Sequence, residues 1–139
     1  MSFVLDSSVA LTWCFGDERT PATEALLKRV AEMGAVVPVL WPLEVLNALA
    51  MAERRRRVDR DTRHRLAALL RDLPIRVDID SASMAWTDTA ALAERYQLTL
   101  YDASYLEVAR RLSLPLGTLD GALRKAADSL RVPLLGIEA

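Results

Sequence analysis

Short apolar runs recur along this chain, separated by stretches with helical spacing. The runs cover residues 2–5, 35–40, 75–79, 115–119 and 132–137. They are too short for core helices and rich in Val, Ile and Leu, so each reads as a strand. Strands that alternate with helices need crossover connections, and crossovers join parallel neighbours. The expected fold is α/β with a mostly parallel sheet.

The helices announce themselves by their ends. Thr20-Pro21 opens one that stops at Gly34, and Pro42 opens the next. Asp59 or Asp61 starts a helix through Leu70, which Pro74 breaks. Further helices are expected over 81–96, 102–112 and 121–130, and a short one over 9–15 capped by Ser7 or Ser8. Residues 16–18 read as a loop and 98–101 as a short connection. Pro38 argues that the second run lies at a sheet edge or has an irregular end. There is no internal repeat, low-complexity segment or linker, so residues 1–139 read as one domain.

Four acids stand where an apolar run ends or a helix begins: Asp6, Glu44, Asp102 and Asp120. In a parallel sheet, ligands bind outside the carboxyl ends of the strands. Carboxylates brought together there repel one another, and a divalent cation makes their shared charge tolerable. Magnesium favours such oxygen donors. Thr118 and Asp120 are two apart on an extended chain and share a face. Asn47 lies one turn after Glu44 and can orient it or touch a phosphate. Each acid alone also has an ordinary use: Asp102 as an N-cap, Glu44 as a first-turn acid, Asp120-Gly121 as a turn. The set points to phosphate-ester hydrolysis by a magnesium- or manganese-dependent enzyme.

The segments VLDSSVAL, LEVLNAL and LTLYDASYLEVARRLSLPLGTLD, with the GAL that follows, resemble the PIN-domain ribonucleases. The likeness is strongest to the VapC-type toxins of toxin–antitoxin pairs, and it runs nearly end to end with the motifs in the family's order. It implies a parallel sheet of about five strands flanked by helices. It also implies endonucleolytic cleavage of RNA by metal-bound water, leaving 5′-phosphate and 3′-hydroxyl ends. Asp6, Glu44, Asp102 and Asp120 then match the family's catalytic carboxylates, with Asp6, Asp102 and Asp120 as metal ligands. Ser7, Asn47 and Thr118 match its supporting polar positions. A homodimer, or a larger assembly with an inhibitory antitoxin, is implied as well.

The remaining features are weaker pointers. Between Glu53 and Asp72 there are eight arginines and four acids, against a net charge of -1 for the chain. Arg54, Arg55, Arg56 and Arg57 head this block and suit RNA phosphates, or form a solvated face. His64 has no catalytic neighbour in sequence. Trp13, Trp41 and Trp86 read as core or dimer contacts. The single cysteine, Cys14, reads as buried and structural and excludes an internal disulfide. No basic, apolar leader and no membrane-length apolar run is present, so a cytoplasmic protein is expected. The competing readings are a PIN-like RNA- or protein-binding module without catalysis, and another magnesium-dependent phosphate-handling α/β domain. The second of these expects an acid two residues after Asp6, where Ser8 stands, or an acidic pair near the N-terminus.

Overall fold

The structure is a computed structural model and describes residues 2–137. Strands β1 (Val4–Leu5), β2 (Ala35–Pro38), β3 (Ile75–Asp78), β4 (Leu116–Gly117) and β5 (Leu134–Leu135) form one sheet. Its order is β3-β2-β1-β4-β5, and every neighbouring pair is parallel. Each strand lies inside an expected run but is shorter than it. The chain turns into helices or loops as soon as it leaves the sheet: the Val39 N–H, for example, donates to Ser81 Oγ at 2.9 Å rather than to a strand. Pro38 is the last residue of an interior strand, so the irregular-end reading holds and the edge reading does not.

The helices are α1 (Ser7–Thr12), α2 (Pro21–Met33), α3 (Trp41–Arg54), α4 (Arg60–Arg71), α5 (Ser81–Met84), α6 (Ala90–Tyr96), α7 (Leu100–Leu112) and α8 (Gly121–Ser129). A π-helical turn, Ala85–Thr89, joins α5 to α6, and Gly16–Glu18 forms a 3-10 turn rather than an irregular loop. Thr20 and Thr23 cap α2 reciprocally, each hydroxyl accepting the other's backbone N–H. Asp59 caps α4 by accepting from the Thr62 N–H at 2.7 Å. Two helix starts differ from expectation. α1 begins at Ser7, so Ser7 and Ser8 lie inside it and do not cap it. α7 begins at Leu100, because Thr99 rather than Asp102 takes the cap position.

The core lies on both faces of β1 and β2, whose residues are all buried, as a parallel sheet covered by helices requires. α7 is the central helix: its residues from Ala103 to Ala109 are buried without a break. Glu107 falls in that stretch and pairs with Arg111, Nε to Oε2 at 2.7 Å. Arg111 also bonds Asp78, buried at the end of β3. Trp13 and Trp41 are buried, but Trp86 is 88% exposed on the π turn and belongs to no core. Cys14 is half-buried; burial lifts its thiol to about 11, leaving it protonated at neutral pH.

Gly34 ends α2 with φ 74° and ψ 178°, a region held almost only by glycine. A Cβ there would meet the Pro74 carbonyl oxygen at 2.9 Å. Gly34→Ala should therefore lower unfolding stability by about 1–3 kcal/mol, measured by urea denaturation; an unchanged midpoint would show that the turn relaxes freely.

Candidate active site

β1 and β4 are neighbours whose chains leave in opposite directions. From β1 the chain crosses by α1 and α2 to β2; from β4 it crosses by α8 to β5. The carboxyl ends of these two strands form the switch-point crevice where α/β sheets bind ligands.

Asp6 is the first residue beyond β1 and is only 3% exposed. Its Oδ2 accepts from the Ser8 hydroxyl at 2.6 Å and from the Thr118 hydroxyl at 2.7 Å. Those hydroxyls accept in turn from the backbone of the β4–α8 connection: Ser8 from the Leu119 N–H at 3.0 Å, Thr118 from the Asp120 N–H at 3.1 Å. A hydroxyl has one proton, so taking an amide N–H leaves that proton for Asp6. Oδ1 has a long 3.5 Å contact from Ser7 Oγ, and the Ser7 backbone N–H also donates to this carboxyl.

The other three acids approach from helix N-termini. Asp120 accepts from the Leu123 N–H at 2.8 Å and so caps α8; the ordinary use and the site position coincide in one side chain. Glu44 lies in the first turn of α3, half-buried, and its Oε1 accepts from the hydroxyl of fully buried Tyr105 on α7. Asp102 lies in the first turn of α7. Its backbone N–H is capped by Thr99 Oγ1 at 3.1 Å, so its carboxylate is not needed as a cap.

The four fields overlap. Burial, opposed by Ser8 and Thr118 and assisted by Asp120, raises the Asp6 carboxyl. Burial also raises Glu44, against hydrogen bonds from Tyr105 and Ser7 and with help from Asp6. Asp102 is pushed up to about 6 by burial, then by Asp120, Asp6 and Glu44. The same surroundings push the Tyr105 phenol far up, so it stays a proton donor. Among the described residues no Lys, Arg or His pairs with any of the four acids. Asp78 and Glu107, by contrast, are both paired with Arg111. Among the described residues no three His, Cys, Asp or Glu side chains stand close enough together to hold a metal ion as they are placed. The cluster is coupled but open.

Other expected residues lie elsewhere. Asn47 is exposed, and among the described residues it makes no hydrogen bond to Glu44 or the other acids. Arg54 ends α3, ten residues beyond Glu44, about 15 Å along the helix. Arg54 to Arg57 are exposed, but Arg57 is committed: it bridges Asp17 and Glu18 at 3.0 Å and stacks 4.0 Å from the Phe15 ring centroid. His64 lines an apolar groove between α3, α4 and β3 that contains none of the acids. Two polar residues at the site escape a reading of the sequence, Ser8 and Tyr105. The signal for Tyr105 is its spacing, three residues after Asp102 on one helix face.

The sequence profile of the PIN domain matches residues 3–129. This chain belongs to the PIN domain family. The family's members are generally nucleases. Among solved structures, PAE2754 from Pyrobaculum aerophilum superposes with a TM-score of 0.70 at 22% identity, over 96% of this chain and 83% of that one. FitAcB from Neisseria gonorrhoeae superposes with a TM-score of 0.64 at 16% identity, over 95% of each chain. At such identities these likenesses concern the fold. No curated protein matches the sequence.

The raised Asp102 carboxyl has a signed consequence. The folded state holds this proton more tightly than the unfolded state, where the ordinary value is 3.8. Its contribution to stability is present below about pH 4 and is lost as pH rises through about 6. In EDTA, Asp102→Asn should raise Tm at pH 7.5 and leave it unchanged near pH 3.5, read by thermal melts. Equal shifts at both pH values would show that the carboxylate is not under electrostatic stress.

Proposed function

We propose that this PIN-family chain is a divalent-cation-dependent endoribonuclease, one nuclease domain over residues 1–139, acting as the VapC-type toxin of a toxin–antitoxin pair. The observation that carries the reading is the meeting of Asp6, Glu44, Asp102 and Asp120 around the switch point with no cationic side chain paired to them. The resemblance of VLDSSVAL, LEVLNAL and LTLYDASYLEVARRLSLPLGTLD to VapC toxins supports the finer assignment.

The donor set fits a hard cation. The four acids offer carboxylate oxygens, and burial, followed by their mutual repulsion, lifts the Asp102 carboxyl toward neutrality. Asp6, Asp102 and Asp120 would hold magnesium or manganese. An open cluster suits magnesium, which keeps several of its waters. When bound, the ion offsets the negative field and polarises the scissile phosphate.

The chain's own residues do the rest. Ser8 and Thr118 fix Asp6 by its Oδ2. Asp120 is fixed by the α8 amide it caps. Glu44, held by Tyr105, orients the attacking water and takes its proton. Arg54 at the end of α3, with Arg55 and Arg56 just beyond it, stands far enough from Glu44 to meet flanking phosphates rather than the scissile one. RNA is thus the substrate, an antitoxin protein the inhibitor, and a homodimer or hetero-oligomer with that antitoxin the assembled form, in the cytoplasm. Among the described residues no helix is long and apolar enough to cross a membrane.

The test is cleavage of structured RNAs by the purified protein, with Mg2+ and with EDTA. Asp6→Asn should reduce cleavage by about 100-fold or more, at or beyond the upper end of what loss of an outer-sphere partner costs, with an unchanged far-UV spectrum. Full activity in Asp6→Asn, or in EDTA, removes the assignment.

A further inference from the structure

Three of the four acids each have at least one partner within three residues of themselves in the chain. Asp6 is held by Ser8 and Thr118, Asp120 by the helix it caps, and Asp102 by a helix turn that Thr99 fastens. Glu44 is different. It extends from α3, and the first of its hydroxyl partners is Tyr105, 61 residues away on α7. Tyr105 is wholly buried in the most enclosed helix of the fold. Its ring is held by packing, so its hydroxyl has a set position rather than a choice of rotamers. Tyr105 also lies three residues after Asp102, on the same helix face. One face of α7 therefore presents Asp102 directly and locates Glu44 at one remove.

We propose that Tyr105 is a positioning residue for the nuclease reaction: its hydroxyl fixes the Glu44 carboxylate against Asp102 across the α3–α7 junction. This inference rests on the nuclease reading. The bond occupies Oε1, and the Ser7 hydroxyl is the second partner of the same carboxylate. Without the donor, α3 still packs, but the Ser7 hydroxyl alone holds the carboxylate, which gains freedom about its own side-chain torsions.

Tyr105→Phe keeps the ring and removes only the donor. We expect kcat on a structured RNA to fall about 10–100-fold, the range for lost outer-sphere partners, with KM little changed and Tm within a few degrees. Because the Tyr105 bond lowers the Glu44 carboxyl, the acid limb of the kcat–pH profile should move up in the variant. The double variant Tyr105→Phe/Glu44→Gln should be no slower than Glu44→Gln alone, since Tyr105 acts only through Glu44. A second variant without the donor, Tyr105→Leu, should repeat the loss if the Phe variant folds poorly. A carboxyl-detected NMR titration of Glu44 in wild type and Tyr105→Phe reads the same bond without RNA. Unchanged kcat, additive losses in the double variant, or an unmoved Glu44 titration overturns the inference. A wild-type chain that cleaves no RNA overturns the nuclease reading and the positioning role with it; an upward Glu44 titration in that case would show a hydrogen bond without a reaction to serve.

Discussion

A buried, hydroxyl-bound carboxylate at the end of β1 organises this molecule. Asp6 is too deep to be solvated, and a buried charge persists only where hydrogen bonds replace water. Ser8 and Thr118 supply those bonds, and both pass on a backbone N–H of the connection leaving β4. The Asp6 N–H, for its part, donates to the Gly117 carbonyl at 2.9 Å. The pairing of β1 with β4 and the immobilisation of the first site acid are thus one network. The sheet's switch point and its chemistry cannot be altered separately.

The acids of this protein divide by their partners. Asp78 and Glu107 are nearly as buried as Asp6, and Arg111 joins them across β3 and α7. Removing that arginine would strand two charges in the core, the severe case for buried ion pairs. The carboxylates of Asp6, Glu44, Asp102 and Asp120 receive hydrogen bonds from hydroxyls and amides but, among the described residues, no cation. Hydrogen bonds hold a carboxylate in place without cancelling its charge. The arrangement preserves a negative field at one open edge, at a cost in stability that the elevated Asp102 carboxyl records.

Much of the fold is legible in single residues. Thr20-Pro21, Asp59 and Pro42 mark their helices because capping and proline geometry are local effects. The short apolar runs locate all the strands, though not their lengths, since pairing ends where the neighbouring chain turns away. Ser7 and Ser8 mislead because a serine before an apolar stretch looks the same whether its hydroxyl caps a helix or reaches a carboxylate. α7 misleads in another way. Its apolar spacing shows the helix from Asp102 on, but Thr99 as cap is visible only once the turn is formed. The four acids stand out by position, while Ser8 and Tyr105 do not, because their partners are contributed by distant segments.

By itself the amino-acid order determined the alternation of strand and helix, the helix boundaries set by proline and hydroxyl caps, and the acids at the strand and helix ends. These follow from local sterics and hydrogen bonding within a few residues. Only the tertiary structure decided that Thr118 meets Asp6 across 112 positions, that Tyr105 meets Glu44 across 61, and that Arg111 neutralises two acids but none of the four. Such pairings depend on which strands lie side by side and which helix fills the centre, and those choices are made by burial of the whole apolar surface at once.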